Sequence, residues 1–204
     1  MHAFRRALLV FTLCLVTQPG GADPIITKTY SYFTIGGRTG AELERELSRR
    51  GPQLSETGMR HPGATRITLG GSVQYEDTGR RCRVKNAVVK LETRLTLPRW
   101  KNRKRADVKT ALVWDTLSSD IKRHEERHAE IARQWARTLE RELEALRPQS
   151  DCDRMKVKVD AKTQSIITKH AADQDRFDRV EAASFERRMS RMLKFRAEKL
   201  NSGG

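Results

Sequence analysis

The chain has 204 residues with a formal charge of +15; 33% of them are charged and 37% hydrophobic. That is length for one domain and apolar material for a modest core. Beyond its first residues no segment is apolar enough to cross a bilayer as a helix, which excludes a multi-span helical membrane protein.

In chain order, Arg5 and Arg6 precede an apolar run from Ala7 to Val16 that is too short for a stable membrane anchor. Gly20-Gly21-Ala22 supplies small residues for cleavage before Asp23. Residues 1–22 are therefore expected to be a signal peptide, and the mature protein is expected to be exported, to the periplasm or the extracellular space. Cys14 lacks the small residue expected just before a lipidated cysteine, which argues against a lipid anchor. Cys82 and Cys152 remain, and an even pair in an exported chain predicts one disulfide. The competing use of either as a metal ligand is weakened by their distance from the metal motif below.

A first strand is expected over Thr27–Ile35, ended by Gly36-Gly37. Thr39 and Glu42 form a capping box that opens a short helix with Leu43 and Leu47 on one face, and Gly51-Pro52 ends it. His61 follows in a stretch containing Pro and Gly and reads as an exposed loop residue. Ile67, Leu69, Val73 and Tyr75 alternate with polar residues, as do Val89, Leu91, Thr93, Leu95 and Leu97 up to Pro98. One apolar and one polar face each predicts an antiparallel sheet wetted on one side. The stretch Val88–Thr96 is expected to offer an exposed edge for an extended peptide. Between sheet and helices lies a basic run that includes Lys101, Arg103, Lys104 and Arg105. It reads either as a solvated loop or as a site for an anionic envelope polymer, and export argues against nucleic acid as partner.

From Asp107 onward the pattern is helical. One segment runs to about Leu146, with an interruption considered at Ser118-Ser119 and a stop at Pro148. A second runs from about Asp153 to Leu200, with Ile166, Ile167, Phe177, Val180 and Met192 apolar, and residues 201–204 are expected to be a disordered tail. The first of these carries His124-Glu125-Glu126-Arg127-His128. In an H-E-x-x-H helix the two imidazoles lie one turn apart on one face and can share a Zn²⁺ ion, while the Glu between them can serve as general base toward a zinc-activated water. Leu117, Ile121, Ile131, Trp135, Leu139 and Leu146 form an apolar stripe into which His124 and His128 fall, so both imidazoles are expected to face the core.

These residues resemble a bacterial family known as a domain of unknown function and described as secreted zinc-dependent proteases. The likeness covers nearly all of the mature chain: Ala41-Glu42-Leu43 before Gly51-Pro52, Cys82 opening a strand, Thr96-Leu97-Pro98-Arg99-Trp100, Trp114, the H-E-x-x-H motif and Cys152. It implies a zincin-like zinc peptidase acting on peptides or proteins. The family's late segment Tyr-Asp-x-x-Thr-x-His-Gly, whose His is the natural third ligand, reads here Phe177-Asp178-Arg179-Val180-Glu181-Ala182-Ala183-Ser184. Ala183 stands where the His belongs. The position six residues after His128, where some motifs place a third His, is Gln134. A catalytic zinc normally has three protein ligands. Glu181 is the preferred third, on the side of the helix that carries His170 and Ile166. Asp178 and His170 are the alternatives, and Asp178 would otherwise orient a ligand His. The fold class expected is α+β, a small antiparallel sheet with a short N-terminal helix packed on two long C-terminal helices, in one domain over residues 23–200.

Overall fold

The computed structural model describes residues 23–53, 58 and 60–202. The expected signal peptide lies outside them. In chain order the elements are β1 (Ile25–Ile35), α1 (Gly40–Arg50), β2 (Ala64–Asp77), β3 (Cys82–Trp100), a 3-10 turn at Arg103–Arg105, α2 (Val108–Glu144) and α3 (Cys152–Ser202). The architecture is α+β, with the short helix, the small sheet and the two long helices that the residue pattern predicts. Helix α3 includes Asn201 and Ser202, where a disordered tail was expected, and 203–204 lie outside the described residues. Among the described residues no helix is long and apolar enough to cross a membrane.

The sheet departs from expectation in order and direction. Its order is β1-β3-β2, with β2 antiparallel and β1 parallel to β3. The sheet is therefore mixed, and the Val88–Thr96 stretch is its centre rather than an edge. Nor does β3 end at Pro98. The last β2 partner in the ladder is Ala64, opposite Thr96, so Pro98 stands opposite Phe33 of β1 with no β2 residue on its other side. A proline without an N–H is tolerated where one side of a strand is unpaired. A bulge at Gln74/Tyr75 shifts the alternation on β3, so that Cys82 and Val84 before it and Ala87, Val89 and Leu91 after it all face the core.

Two apolar clusters hold the domain. The larger joins the inner sheet face to Ala132, Ala136, Leu139 and Leu143 of α2 and to Met155, Val159 and Ile166 of α3. The smaller joins Ile35, Leu43, Leu47, Trp100 and Trp114. Thr39 caps α1 through the expected capping box, and Asp107 caps α2 by accepting from Thr110 N. Helix α2 runs without a break through Ser118-Ser119. Cys82 and Cys152 form a disulfide beside a two-way backbone pairing of Cys82 with Gln149, which ties the start of α3 to the head of β3.

The buried residues of α3 are Met155, Val159 and Ile166, all in its first third. Ile167 and Val180, expected as apolar packing positions, are exposed. Past Ile166 the helix is held to α2 by polar groups, and there the motif histidines lie.

Candidate metal centre between the long helices

The face of α2 that meets the sheet is lined with small residues, Ala111, Ala129, Ala132 and Ala136, together with Trp114 and Ile121. Alanines contribute little to an apolar stripe read from large residues, so the buried face is rotated from the expected one. His124 and His128 are half-buried on the flank that faces α3, and Glu125 occupies the centre of the buried face.

Three donor atoms converge on that flank. The Nε2 atoms of His124 and His128 are 3.0 Å apart. Asp178 Oδ1, from α3, is 3.2 Å from the first and 3.0 Å from the second. Zn–N and Zn–O bonds of about 2.0–2.1 Å in a tetrahedron require ligand atoms about 3.3 Å apart. The triangle thus supplies three corners of such a site, with a donor set that suits zinc. Asp178 remains 53% exposed, so the side away from the helices is open to solvent. Phe177 packs on both rings, stacked on His124 and edge-on to His128, and shields them from the other direction.

The remaining sequence candidates are near but displaced. Glu181 is claimed by Arg123 and by Arg188, and its Oε2 is 3.8 Å from His124 Nδ1. It stands behind the imidazole rather than beside the converging nitrogens. His170 is separated from the cluster by Gln174, whose amide nitrogen lies 2.8 Å from its Nε2. His61 stays in its loop, where its backbone N–H donates to Pro52 O, and takes no part. The carboxylate oxygen that converges with the two imidazole nitrogens is therefore that of Asp178, on the helical face of Gln174 and Glu181.

Glu125 is 5% exposed. Thr65 at the start of β2 donates to its Oε2 and to its backbone oxygen, both at 2.9 Å. Burial, the largest influence, pushes the Glu125 carboxyl above its ordinary range; the Thr65 hydrogen bond and the charge of His128 pull it back, and Asp178 adds to the rise. A carboxyl so raised is better matched to taking a proton near neutral pH than a solvated one. Burial also lowers the His124 imidazole, and His128 beside it acts in the same sense while Asp178 and Glu181 oppose it. A neutral imidazole is the form that binds a metal.

Thr65, Phe177 and Gln174 were not singled out as site residues. The only sequence signal for any of them was Phe177, which stands at the tyrosine of the family segment. The basic run forms the 3-10 turn, where Arg103 grips Asp115 through two hydrogen bonds while Lys101, Lys104 and Arg105 are exposed.

Among known proteins, a family model described as "Bacterial protein of unknown function (DUF922)" matches residues 30–185. No curated protein and no solved structure matches the chain.

Proposed function

This chain belongs to that bacterial family, and from the chemistry of its site we propose that it is an exported zinc-dependent peptidase with Glu125 as general base. The convergence of His124, His128 and Asp178 at metal-ligand spacing, with an acid-base carboxylate on the adjoining face of the same helix, carries the reading. Zinc bound there would acidify a water and polarise a carbonyl. The chain's own part is threefold. His124 and His128 would hold the metal from α2, and Asp178 would close the triangle from α3. Glu125, desolvated and aimed by Thr65, accepts the proton of the attacking water and returns it to the departing amine. Among the described residues the outer side of β2 is unpaired in the three-stranded sheet, and its start touches Glu125 through Thr65. An extended peptide adding to that edge would pass the metal site, which moves the expected docking strand from β3 to β2. The disulfide supports an oxidising compartment and hence export.

The alternative is a non-catalytic basic protein that binds an anionic envelope polymer through Lys101, Arg103, Lys104 and Arg105. The exposure of three of these favours it, but Arg103 is already neutralised by Asp115. Polymer binding also gives no reason for a buried, hydrogen-bonded carboxylate between two histidines.

The test is cleavage of a mixed peptide library by wild type and by Glu125→Gln, with and without chelator. The amide keeps the shape but cannot accept the proton. The variant should retain zinc and lose about 10²–10⁴-fold in rate. Absent or chelator-insensitive cleavage by the wild type would overturn the enzymatic reading. A salt-sensitive polymer affinity weakened by neutralising Lys101, Lys104 and Arg105 would then favour the alternative.

A further inference from the structure

We infer that Gln174 is a positioning residue that makes His128 a metal ligand, by fixing the imidazole in the tautomer whose Nε2 lone pair faces His124 and Asp178. The inference rests on the metal site proposed above and concerns how this chain prepares it.

Gln174 makes three polar contacts, and together they leave one arrangement of hydrogens. Its Nε2 is 3.1 Å from the backbone oxygen of His128. A carbonyl oxygen can only accept, so the amide nitrogen and not the amide oxygen must face it. Gln174 Oε1 is thereby turned to His128 Nδ1, at 2.5 Å. An amide oxygen also can only accept, so Nδ1 carries the hydrogen. A neutral imidazole has one N–H, and its Nε2 is left bare, 3.0 Å from Asp178 Oδ1 and 3.0 Å from His124 Nε2. The second N–H of the amide goes to His170 Nε2 at 2.8 Å, which gives His170 a supporting part. Flipping the amide would set oxygen against oxygen at the His128 carbonyl.

The layout in the chain agrees with this part. Gln174 and Asp178 are four residues apart on α3 and share a face. One turn of helix thus delivers the third donor and the group that orients the second. Glu181, one turn further, does not do the same for His124, because 3.8 Å from Nδ1 is beyond hydrogen-bonding reach and its oxygen is held by arginines. Of the two imidazoles, His128 is the one whose tautomer α3 fixes.

The experiment titrates zinc into metal-free wild type, Gln174→Leu, Gln174→Ala and Gln174→Glu against a chromophoric competitor, records the cobalt(II) absorption spectrum of each, and measures urea unfolding without metal. Orienting partners of metal-bound histidines are typically worth 10–100-fold in affinity. Gln174→Leu and Gln174→Ala should bind zinc that much more weakly, with an altered cobalt spectrum and only a small loss of metal-free stability, far less than the loss of zinc affinity. Gln174→Glu keeps an acceptor for Nδ1–H but turns its second oxygen toward the His128 carbonyl, so it should recover only part of the affinity, binding zinc more tightly than either apolar variant. Zinc binding by both apolar variants as tight as wild type would overturn the inference while leaving the metal site standing. So would equal weakening in all three variants, which would mark a merely structural role. A wild type that takes up no zinc would overturn the metal site and the inference together.

Discussion

Gly63 shows how closely Glu125 is enclosed. A methyl group added there would come to 2.7 Å from Ile121 Cγ2 and 2.9 Å from Glu125 Oε1. Overpacking of this kind costs about 1–3 kcal/mol, and here the cheapest relief is to push the carboxylate away from Thr65. Gly63→Ala should therefore cleave more slowly than wild type, melt lower and still bind zinc. Unchanged cleavage and melting would show that this approach does not matter. At this scale the sequence was legible where chemistry imposes a local spacing. His124, Glu125 and His128 announce themselves because one helical turn sets their separation. The third donor obeys no such rule. Asp178 and Glu181 are three residues apart on one face, and the choice between them depends on where α3 crosses α2, which residue types do not encode. The crossing takes Glu181 to Arg123 and Arg188 and leaves Asp178 at the imidazoles.

Between elements, the long helices change the way they hold each other. Up to Ile166 the contact is apolar; beyond it Asp120, 4% exposed, receives Arg188 from α3 and Arg123 from its own helix. Burial raises the Asp120 carboxyl, but the two guanidinium groups outweigh it and hold the group below its ordinary value. A carboxylate lowered on folding adds stability that is present in full above its unfolded pKa of about 3.9 and is lost as pH falls through the folded value. Asp120→Asn should therefore cost about 3 kcal/mol at pH 7, as breaking a buried ion pair does, and less at pH 3, below the unfolded pKa. Urea unfolding of both proteins at the two pH values checks this; a cost independent of pH would assign the effect to packing. The element boundaries were largely readable, because alternation and capping are local properties. Strand order and direction were not, because an apolar–polar alternation looks the same in a central and an edge strand and in parallel and antiparallel partners. Alanine had a similar effect on α2: its seam against the sheet contributes little hydrophobicity, so the stripe read from larger residues pointed at the histidines instead of Glu125.

For the molecule as a whole, the disulfide closes a loop of 70 residues that contains all of α2. Loop-closure entropy assigns it roughly 4 kcal/mol, an upper-end figure. Cys152→Ser should lower the unfolding free energy by a few kcal/mol, and reduction of the wild type should reproduce the loss; equal stability of oxidised and reduced protein would contradict this. The disulfide secures the end of the α2–α3 pair nearest the sheet. Zinc would secure the same pair beyond the buried apolar core, where Phe177 against the imidazoles and polar groups join the helices. Zinc uptake by metal-free wild type compared with Asp178→Ala tests that account most directly, since the variant leaves the motif on α2 untouched and removes only the donor from α3. One zinc ion per wild-type chain and a large loss of affinity in the variant are expected. A wild type that stays empty at saturating zinc, or an Asp178→Ala protein that binds as tightly as wild type, would contradict it.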